Sequence, residues 1–164
     1  MQEFEFTSEY AVQAESLFGL LCKPAFQEAL ALSFGALEVT AGDPEEKGGV
    51  LKMKIERLDP GWNIIGACIK GKPRRAVIIH DWHKAEMQSE WSQYYLDQGK
   101  NVFIEGDIRV EPKGEEACRM TESGSFEFRL PLVGRNTAKK LRARMDEIHP
   151  RRVDFIMQRL GLAI

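Results

Sequence analysis

Apolar and charged side chains alternate in several short stretches of the chain. The first stretch is residues 2–7, with the sequence Gln-Glu-Phe-Glu-Phe-Thr, and the clearest is residues 51–56, with the sequence Leu-Lys-Met-Lys-Ile-Glu. A period of two predicts a β-strand that buries one face and exposes the other. Residues 37–40, Leu-Glu-Val-Thr, form a third, shorter stretch of this kind. Each of the three predicts one strand of a sheet with a single buried face.

Between the first two strands the apolar spacing changes to that of helices. Val12, Leu17 and Leu21 recur at helical intervals and predict a first short helix. Pro24 ends that helix and suits the first turn of a second, because its fixed φ matches a helix and its missing N–H is not needed there. The second helix is predicted over residues 25–33. The chain therefore begins as strand, helix, helix.

The middle of the chain is rich in β-branched and aromatic residues. It predicts four further strands, at residues 76–84, 87–96, 102–110 and 117–130. The links between these strands are short, and two of the three contain Gly, Pro or Asp, which is typical of hairpins, so the four form an antiparallel meander. Gly106 and Gly124 fall inside two of the strands, where they would allow a sharp bend of the sheet. The other interpretation is that these glycines mark strand breaks.

The last part of the chain after Gly134 returns to helical spacing. The apolar positions of its first half are Ala138, Leu141, Met145 and Ile148. Pro150 interrupts the pattern, and Val153 and Ile156 resume it, so the segment is either one kinked helix or two helices in line. Arg142, Arg144, Arg151 and Arg152 give this region a local positive charge. A basic amphipathic helix can contact an anionic membrane transiently, and the alternative is an ordinary solvated face.

Composition indicates one globular domain over residues 1–164. The 164 residues are 43% hydrophobic and 29% charged, and neither a repeat nor a linker divides them. The N-terminus lacks a secretory signal pattern, and no apolar stretch reaches the roughly 20 residues of a membrane span. We therefore expect a cytoplasmic protein without stable membrane insertion. The sequence does not indicate an oligomeric state.

Charge and motifs exclude several classes of function. A net charge of -2 argues against nucleic-acid binding. The three cysteines lack the spacing of a zinc site or a disulfide framework. Neither a phosphate-binding glycine loop nor a nucleophile elbow is present. The sequence thus predicts neither a cofactor nor a metal.

The order of strand, two helices, six further strands and a long terminal helix resembles the START-like superfamily. This superfamily, also called SRPBCC, contains polyketide cyclases, lipid-transport proteins and birch-pollen-allergen-like proteins. Residues 126–134, Phe-Glu-Phe-Arg-Leu-Pro-Leu-Val-Gly, resemble a bacterial branch of it, as do residues 4–6 followed by the helix with Leu-Phe-Gly-Leu-Leu-Cys at 17–22. The resemblance covers essentially the whole chain. It implies an α+β helix-grip fold, with a curved seven-stranded antiparallel sheet wrapped around a long C-terminal helix and two short helices after the first strand.

The resemblance also implies a cavity between sheet and helix, but no particular reaction. A curved sheet around one helix leaves space that an apolar guest can occupy if long side chains do not fill it. The residues predicted to contact a ligand are Met53, Ile55, Trp62, Ile78, Trp82, Trp91, Tyr95, Ile108, Met120, Phe126 and Phe128 of the sheet and its loops, with Leu141 and Met145 of the helix. Trp62 lies in a loop, where it either acts as a lid or packs locally under the loop. The other interpretation of the whole set is a filled core.

His80 and Glu122 are the candidate catalytic residues. His80 and His83 are three apart on a strand and face opposite sides, which argues against a shared metal. A buried His80 beside Glu122 could titrate near neutral pH and move a proton. The alternative is an ordinary core histidine.

Three functions are compatible with these patterns. The first is binding or carrying a small hydrophobic molecule, such as a lipid, a polyketide or an aromatic compound. The second is a cyclase or dehydratase that uses His80 and Glu122 for proton transfer, with Trp82, Trp91 and Tyr95 positioning the substrate. The third is a protein-interaction domain whose cavity is closed by side chains.

Overall fold

The computed structural model describes residues 1–60, 72–97, 101–129, 131–132 and 134–163. Trp62 and the loop around it lie outside the described residues. The elements are β1 (Gln2–Tyr10), α1 (Ala14–Leu21), α2 (Pro24–Ser33), β2 (Glu38–Ala41), β3 (Glu45–Lys47), β4 (Val50–Asp59), β5 (Arg74–His83), β6 (Gln88–Tyr95), β7 (Val102–Pro112), β8 (Cys118–Phe128) and α3 (Gly134–Arg159). The predicted order of strand, two helices, strands and terminal helix is confirmed.

The strands form one curved, unclosed antiparallel sheet in the order β1-β8-β7-β6-β5-β4-β2, with β3 paired to β4. The α+β helix-grip prediction is therefore confirmed, with eight strands among the described residues in place of seven. The additional strand is β3, whose three residues are charged and exposed. Gly48 and Gly49 have φ values of 60° and 80° and join β3 to β4 between Lys47 and Val50. Two consecutive positive φ values are what a tight two-residue hairpin requires.

The terminal segment is one helix of 26 residues that includes Pro150. Of the two predicted arrangements, two helices in line is therefore not the one observed. Pro150 lies on the exposed side of the helix. The carbonyl group that loses its N–H partner there can be hydrated, which reduces the cost of an internal proline.

Gly106 and Gly124 lie within β7 and β8 and face each other directly across the two strands. The neighbouring strands place Trp91 beside Gly106 and Phe4 beside Gly124, so one row runs from β6 to β1. A Cβ atom on either glycine would lie 2.3 Å from a carbonyl oxygen of the paired strand. The glycines are therefore sites of close backbone approach inside continuous strands, which agrees with a bend and excludes a strand break.

Among the described residues, the buried apolar side chains form two clusters. In the first, Leu17, Phe18 and Leu21 of α1 pack onto the sheet, and the Phe18 ring meets the Trp82 ring edge-on at a centroid distance of 5.7 Å. In the second, Phe126 and neighbouring sheet residues pack against the start of α3 at Ala138. We call the part of the concave sheet face that α1 covers the filled end.

Candidate functional site

A cavity of about 320 Å³ lies between the concave face of the sheet, α2 and α3. We call the part of the concave face that borders it the open end. Inward-pointing residues of β4, β5 and β7 line the cavity from the sheet, because the period of two directs their apolar side chains to this face. The helices contribute Leu30 from α2 and Leu141, Met145 and Ile148 from α3. The wall is thus mainly apolar.

Many of the residues predicted from sequence meet at this wall. Those that line the cavity are Ile55, Ile78, Trp91, Tyr95, Phe128, Leu141 and Met145, together with His80 and Glu122. They come from four strands and one helix, so only the folded sheet brings them together.

Five predicted contact residues are placed elsewhere, within packed core. They are Met53, Trp82, Ile108, Met120 and Phe126, each at most 2% exposed. Four of them belong to the cluster that α1 covers, and Phe126 stacks on Phe4 at a centroid distance of 6.3 Å. The interpretation of these five as cavity wall is therefore corrected, because the helix that follows β1 occupies the space in front of most of them. Trp62 lies outside the described residues.

His80 is held rigidly at the cavity wall. Its ring stacks on the Trp82 ring at a centroid distance of 4.8 Å, and its Nδ1 lies 3.0 Å from Ser89 Oγ. The Ser89 hydroxyl in turn donates to the Glu90 carbonyl at 3.3 Å. Burial, reinforced by the positive charge of Arg152, lowers the pKa of His80 to about 3. The expected titration near neutral pH is therefore wrong, and the imidazole is neutral at physiological pH.

Glu122 forms an ion pair with Arg152, which joins β8 to α3. The carboxylate is therefore committed to a guanidinium, and the anticipated partnership with His80 is not the one the fold makes. Only 10% of the Glu122 side chain and 21% of the Arg152 side chain are exposed. The sequence placed Arg152 in a basic run that suggested solvent or a membrane, and nothing local marked it as a cavity residue.

A second polar cluster lies at the cavity wall where β4 and β6 end. Arg57 Nε donates to Asp59 Oδ1 at 2.7 Å, and Arg57 Nη2 donates to Gln93 Oε1 at 3.2 Å. The Tyr95 hydroxyl donates to Asp59 Oδ2 and accepts from Gln93 Nε2, both at 3.3 Å. Burial raises the pKa of Tyr95, and the negative charge of Asp59 raises it further, so the phenol stays protonated.

Sequence reasoning missed Arg57 and Asp59 because the predicted strand ended at residue 56. The signal was present, however. Continuing the alternation from Met53 and Ile55 places Arg57 and Asp59 on the same inward face.

His149 fixes the middle of α3 to β1. Its ring stacks on the Phe6 ring at a centroid distance of 4.5 Å, and its Nε2 lies 3.1 Å from Ser8 Oγ. Burial lowers its pKa, and the charge of Arg152 does so further. This contact holds the helix over the cavity.

Within the described part of the chain, no helix combines the length and the apolar character that a bilayer crossing requires.

Solved structures share the fold of this chain, but their sequences are only distantly similar to it. Neither a protein-family model nor a curated protein matches the sequence. Among solved structures, the Zhui aromatase/cyclase of Streptomyces sp. R1128 aligns with a TM-score of 0.67 at 12% identity, over 98% of this chain and 93% of that one. A START superfamily protein of Mycobacterium smegmatis aligns with a TM-score of 0.61 at 18% identity, over 96% and 98%. Norcoclaurine synthase of Thalictrum flavum, a point mutant in complex with a transition state analogue, aligns with a TM-score of 0.63 at 12% identity, over 97% and 93%. At these identities the likeness establishes the fold alone.

Proposed function

We propose that this chain, which has the START-like helix-grip fold, acts over residues 1–164 as one domain that binds a small and mainly apolar ligand between its sheet and α3. The observation that carries the proposal is the apolar cavity of about 320 Å³. Ligand pockets in proteins range from about 300 to 1,000 Å³, so this one is at the small end. A compact aromatic or polyketide-like compound fits such a space better than a long acyl chain.

Binding is better supported than catalysis by the groups at the wall. A general base works best when its pKa lies near the operating pH, and the pKa of His80 is about 3. Glu122 is held in an ion pair with Arg152, so its carboxylate is already committed to a guanidinium. The aromatase/cyclase and norcoclaurine synthase described above are enzymes by name, but at 12% identity their reactions do not transfer to this chain.

The proposal is tested with the neutral dye N-phenyl-naphthylamine, whose fluorescence rises in apolar surroundings. We expect saturable binding of one dye per chain and displacement by biphenyl. Leu141→Trp places a large ring in the cavity and should weaken dye binding at least tenfold. Leu32→Trp is the matched control, because Leu32 is also helical but is 51% exposed. Absence of binding, or equal binding by both variants, would contradict the proposal, provided that thermal unfolding shows both to be folded.

Catalysis would be detected as a chemical change in the bound molecule. Native mass spectrometry of protein from cells can identify a ligand that co-purifies with the chain. If that ligand changes in mass during incubation, and His80→Ala stops the change while binding persists, the protein is an enzyme. An unchanged ligand supports a binding or carrier function.

A further inference from the structure

Each arginine at the cavity wall, within the described part of the chain, lies beside a carboxylate. Arg57 pairs with Asp59 and Arg152 pairs with Glu122. Arg74, which is 7% exposed, lies 3.4 Å from Asp97 Oδ2. Three positive charges are thus each beside a negative charge, although Asp97 lies outside the wall and its side chain is 53% exposed.

The histidines and the tyrosine that line the described wall add no charge near neutral pH. Burial lowers the pKa of His80 and of His149, which favours the neutral imidazole in both. Burial raises the pKa of Tyr95, which keeps the phenol protonated. The wall therefore contains many polar atoms, and each of its charged side chains lies beside an opposite charge.

The polar atoms are concentrated at two separate places. Arg57, Asp59 and Tyr95 lie where β4 and β6 end, whereas Glu122 lies on the same cross-strand row as Ile108 and Ser89. Arg57 Nη2 reaches Gln93, which lies four residues from Ser89 along β6, or about 13 Å at about 3.3 Å per residue. The wall between these rows is largely apolar and includes Ile78 and Ile104.

Both clusters retain hydrogen-bonding capacity for a ligand. A guanidinium carries five N–H donors, and the bonds described above use Nε and Nη2 of Arg57 and Nη1 of Arg152. A carboxylate has about four lone-pair sites, so Asp59 and Glu122 can each accept a further bond. A hydroxyl group both donates and accepts, and it therefore suits a donor and an acceptor that are held side by side.

We infer that the ligand is an uncharged molecule with an apolar body and a hydroxyl group, phenolic or alcoholic, at each of two ends. This inference rests on the proposed binding function and specifies its ligand class. A carboxylate ligand would face Asp59 or Glu122 at either cluster, and an ammonium ligand would face Arg57 or Arg152. A buried ammonium would lack a free carboxylate at the described wall. A buried carboxylate could bond Arg74 Nη1, which has no hydrogen-bond partner, but it would still add a charge that the wall does not balance, which is costly. A purely apolar ligand would displace water from both polar clusters and would not replace the hydrogen bonds that this water makes.

The first test compares five probes on one scaffold by displacement of N-phenyl-naphthylamine. They are biphenyl, para-phenylphenol, para,para′-biphenol, biphenyl-para-carboxylate and the para-aminomethyl derivative. We expect affinity to rise from biphenyl through the monophenol to the diphenol, by at least tenfold overall, and the two charged probes to bind no better than biphenyl. Equal binding of all five would overturn the inference and leave the binding function intact. If none of the probes binds, the binding function fails and the inference fails with it.

The second test changes the charge of the wall. Glu122→Gln leaves Arg152 without its partner, and Asp59→Asn does the same for Arg57. Each variant should raise the affinity for biphenyl-para-carboxylate relative to para-phenylphenol by at least tenfold. Glu9→Gln is the matched control, because Glu9 pairs with Arg119 at an exposed position and should leave the ratio unchanged. Having two variants allows for misfolding of one, and an unchanged ratio in a folded variant would contradict the inference.

Discussion

The filled end and the open end of the concave sheet face are built from the same strands and by the same alternation, yet one is solid and the other is hollow. At the filled end, α1 places Leu17, Phe18 and Leu21 against Trp82 and its neighbours. At the open end, α2 and α3 cover the sheet without filling the space beneath them. Inward orientation therefore decides only that a residue is buried. Whether it becomes core or cavity wall depends on whether side chains of the helix opposite the sheet fill the space in front of it.

The glycine row forms the boundary between the two ends. Trp91 belongs to this row and contacts both hydrophobic clusters, and its ring also lines the cavity. Because Gly106 and Gly124 lack side chains, the Phe4 and Trp91 rings can lie over them, with their centroids 6.3 Å apart. The boundary is therefore a backbone feature, and it should be more sensitive to added volume than to lost volume.

The largest expected effect is at the centre of the filled end. Trp82→Ala removes a side chain that is 0% exposed and should destabilise the protein by about 3–5 kcal/mol. Trp91→Ala should cost less, because its ring already borders empty space. Urea denaturation of the two variants and the wild type measures the difference. Equal losses would mean that the two ends do not differ in packing.

The second expected effect is at the boundary. Gly106→Ala and Gly124→Ala each place a Cβ atom 2.3 Å from a backbone oxygen, and each should destabilise the protein by about 2–3 kcal/mol. Gly19→Ala is the control, because Gly19 lies in α1 with open space around its Cβ position. That variant should be stabilised by up to about 1 kcal/mol. A neutral effect at both sheet positions would contradict the close approach of the strands.

The fold was predictable because it depends on patterns that are local in the sequence. Alternation identified β1, β2 and β4, richness in β-branched and aromatic residues identified β5 to β8, and Pro24 marked the start of α2. The short strand β3 could not be predicted, because its residues Glu-Glu-Lys are all exposed and carry no alternation. Pro150 suggested a break in α3, and its exposed position explains why the helix continues.

The site was predictable only in part, for the reason that the two ends illustrate. Alternation identified Ile55 and Ile78, which line the cavity, and equally Met53 and Ile108, which do not. The pairing of Glu122 with Arg152 joins residues that are 30 positions apart and depends on how α3 crosses the sheet. Such a pairing leaves no local signal in a single sequence.

The third expected effect concerns pH. The pKa of His80 is about 3 in the folded protein and about 6.5 when unfolded, so the unfolded state binds more protons between these values. The stability contributed by neutral His80 is fully present above pH 6.5 and is lost as the pH falls towards 3. Between pH 7 and pH 5 this loss amounts to about 2 kcal/mol.

His80→Gln tests this effect, because it removes the titrating group. Denaturant unfolding of both proteins at the two pH values should show a smaller loss of stability in the variant. Part of the loss should persist in the variant, since burial also lowers the pKa of His149. The same loss in both proteins would contradict the burial of His80 at the cavity wall.

The smallest expected effect is a difference between two identical substitutions. Ile108→Phe adds volume at the filled end and should cost about 1–3 kcal/mol through overpacking. Ile55→Phe adds the same volume beside the cavity and should cost about 1 kcal/mol less, while it weakens binding of N-phenyl-naphthylamine. Both isoleucines are at most 4% exposed, so burial alone does not distinguish them. Equal costs would indicate that the space beside Ile55 is already filled.

The most direct test of the account is a crystal structure of the protein with para,para′-biphenol. We expect electron density for one molecule between the sheet and α3, in contact with Ile78 and Leu141, with one hydroxyl group directed to Arg57 and the other to Arg152. Density for the diphenol only on the outer surface, or an interior in which side chains occupy the open end, would contradict the account.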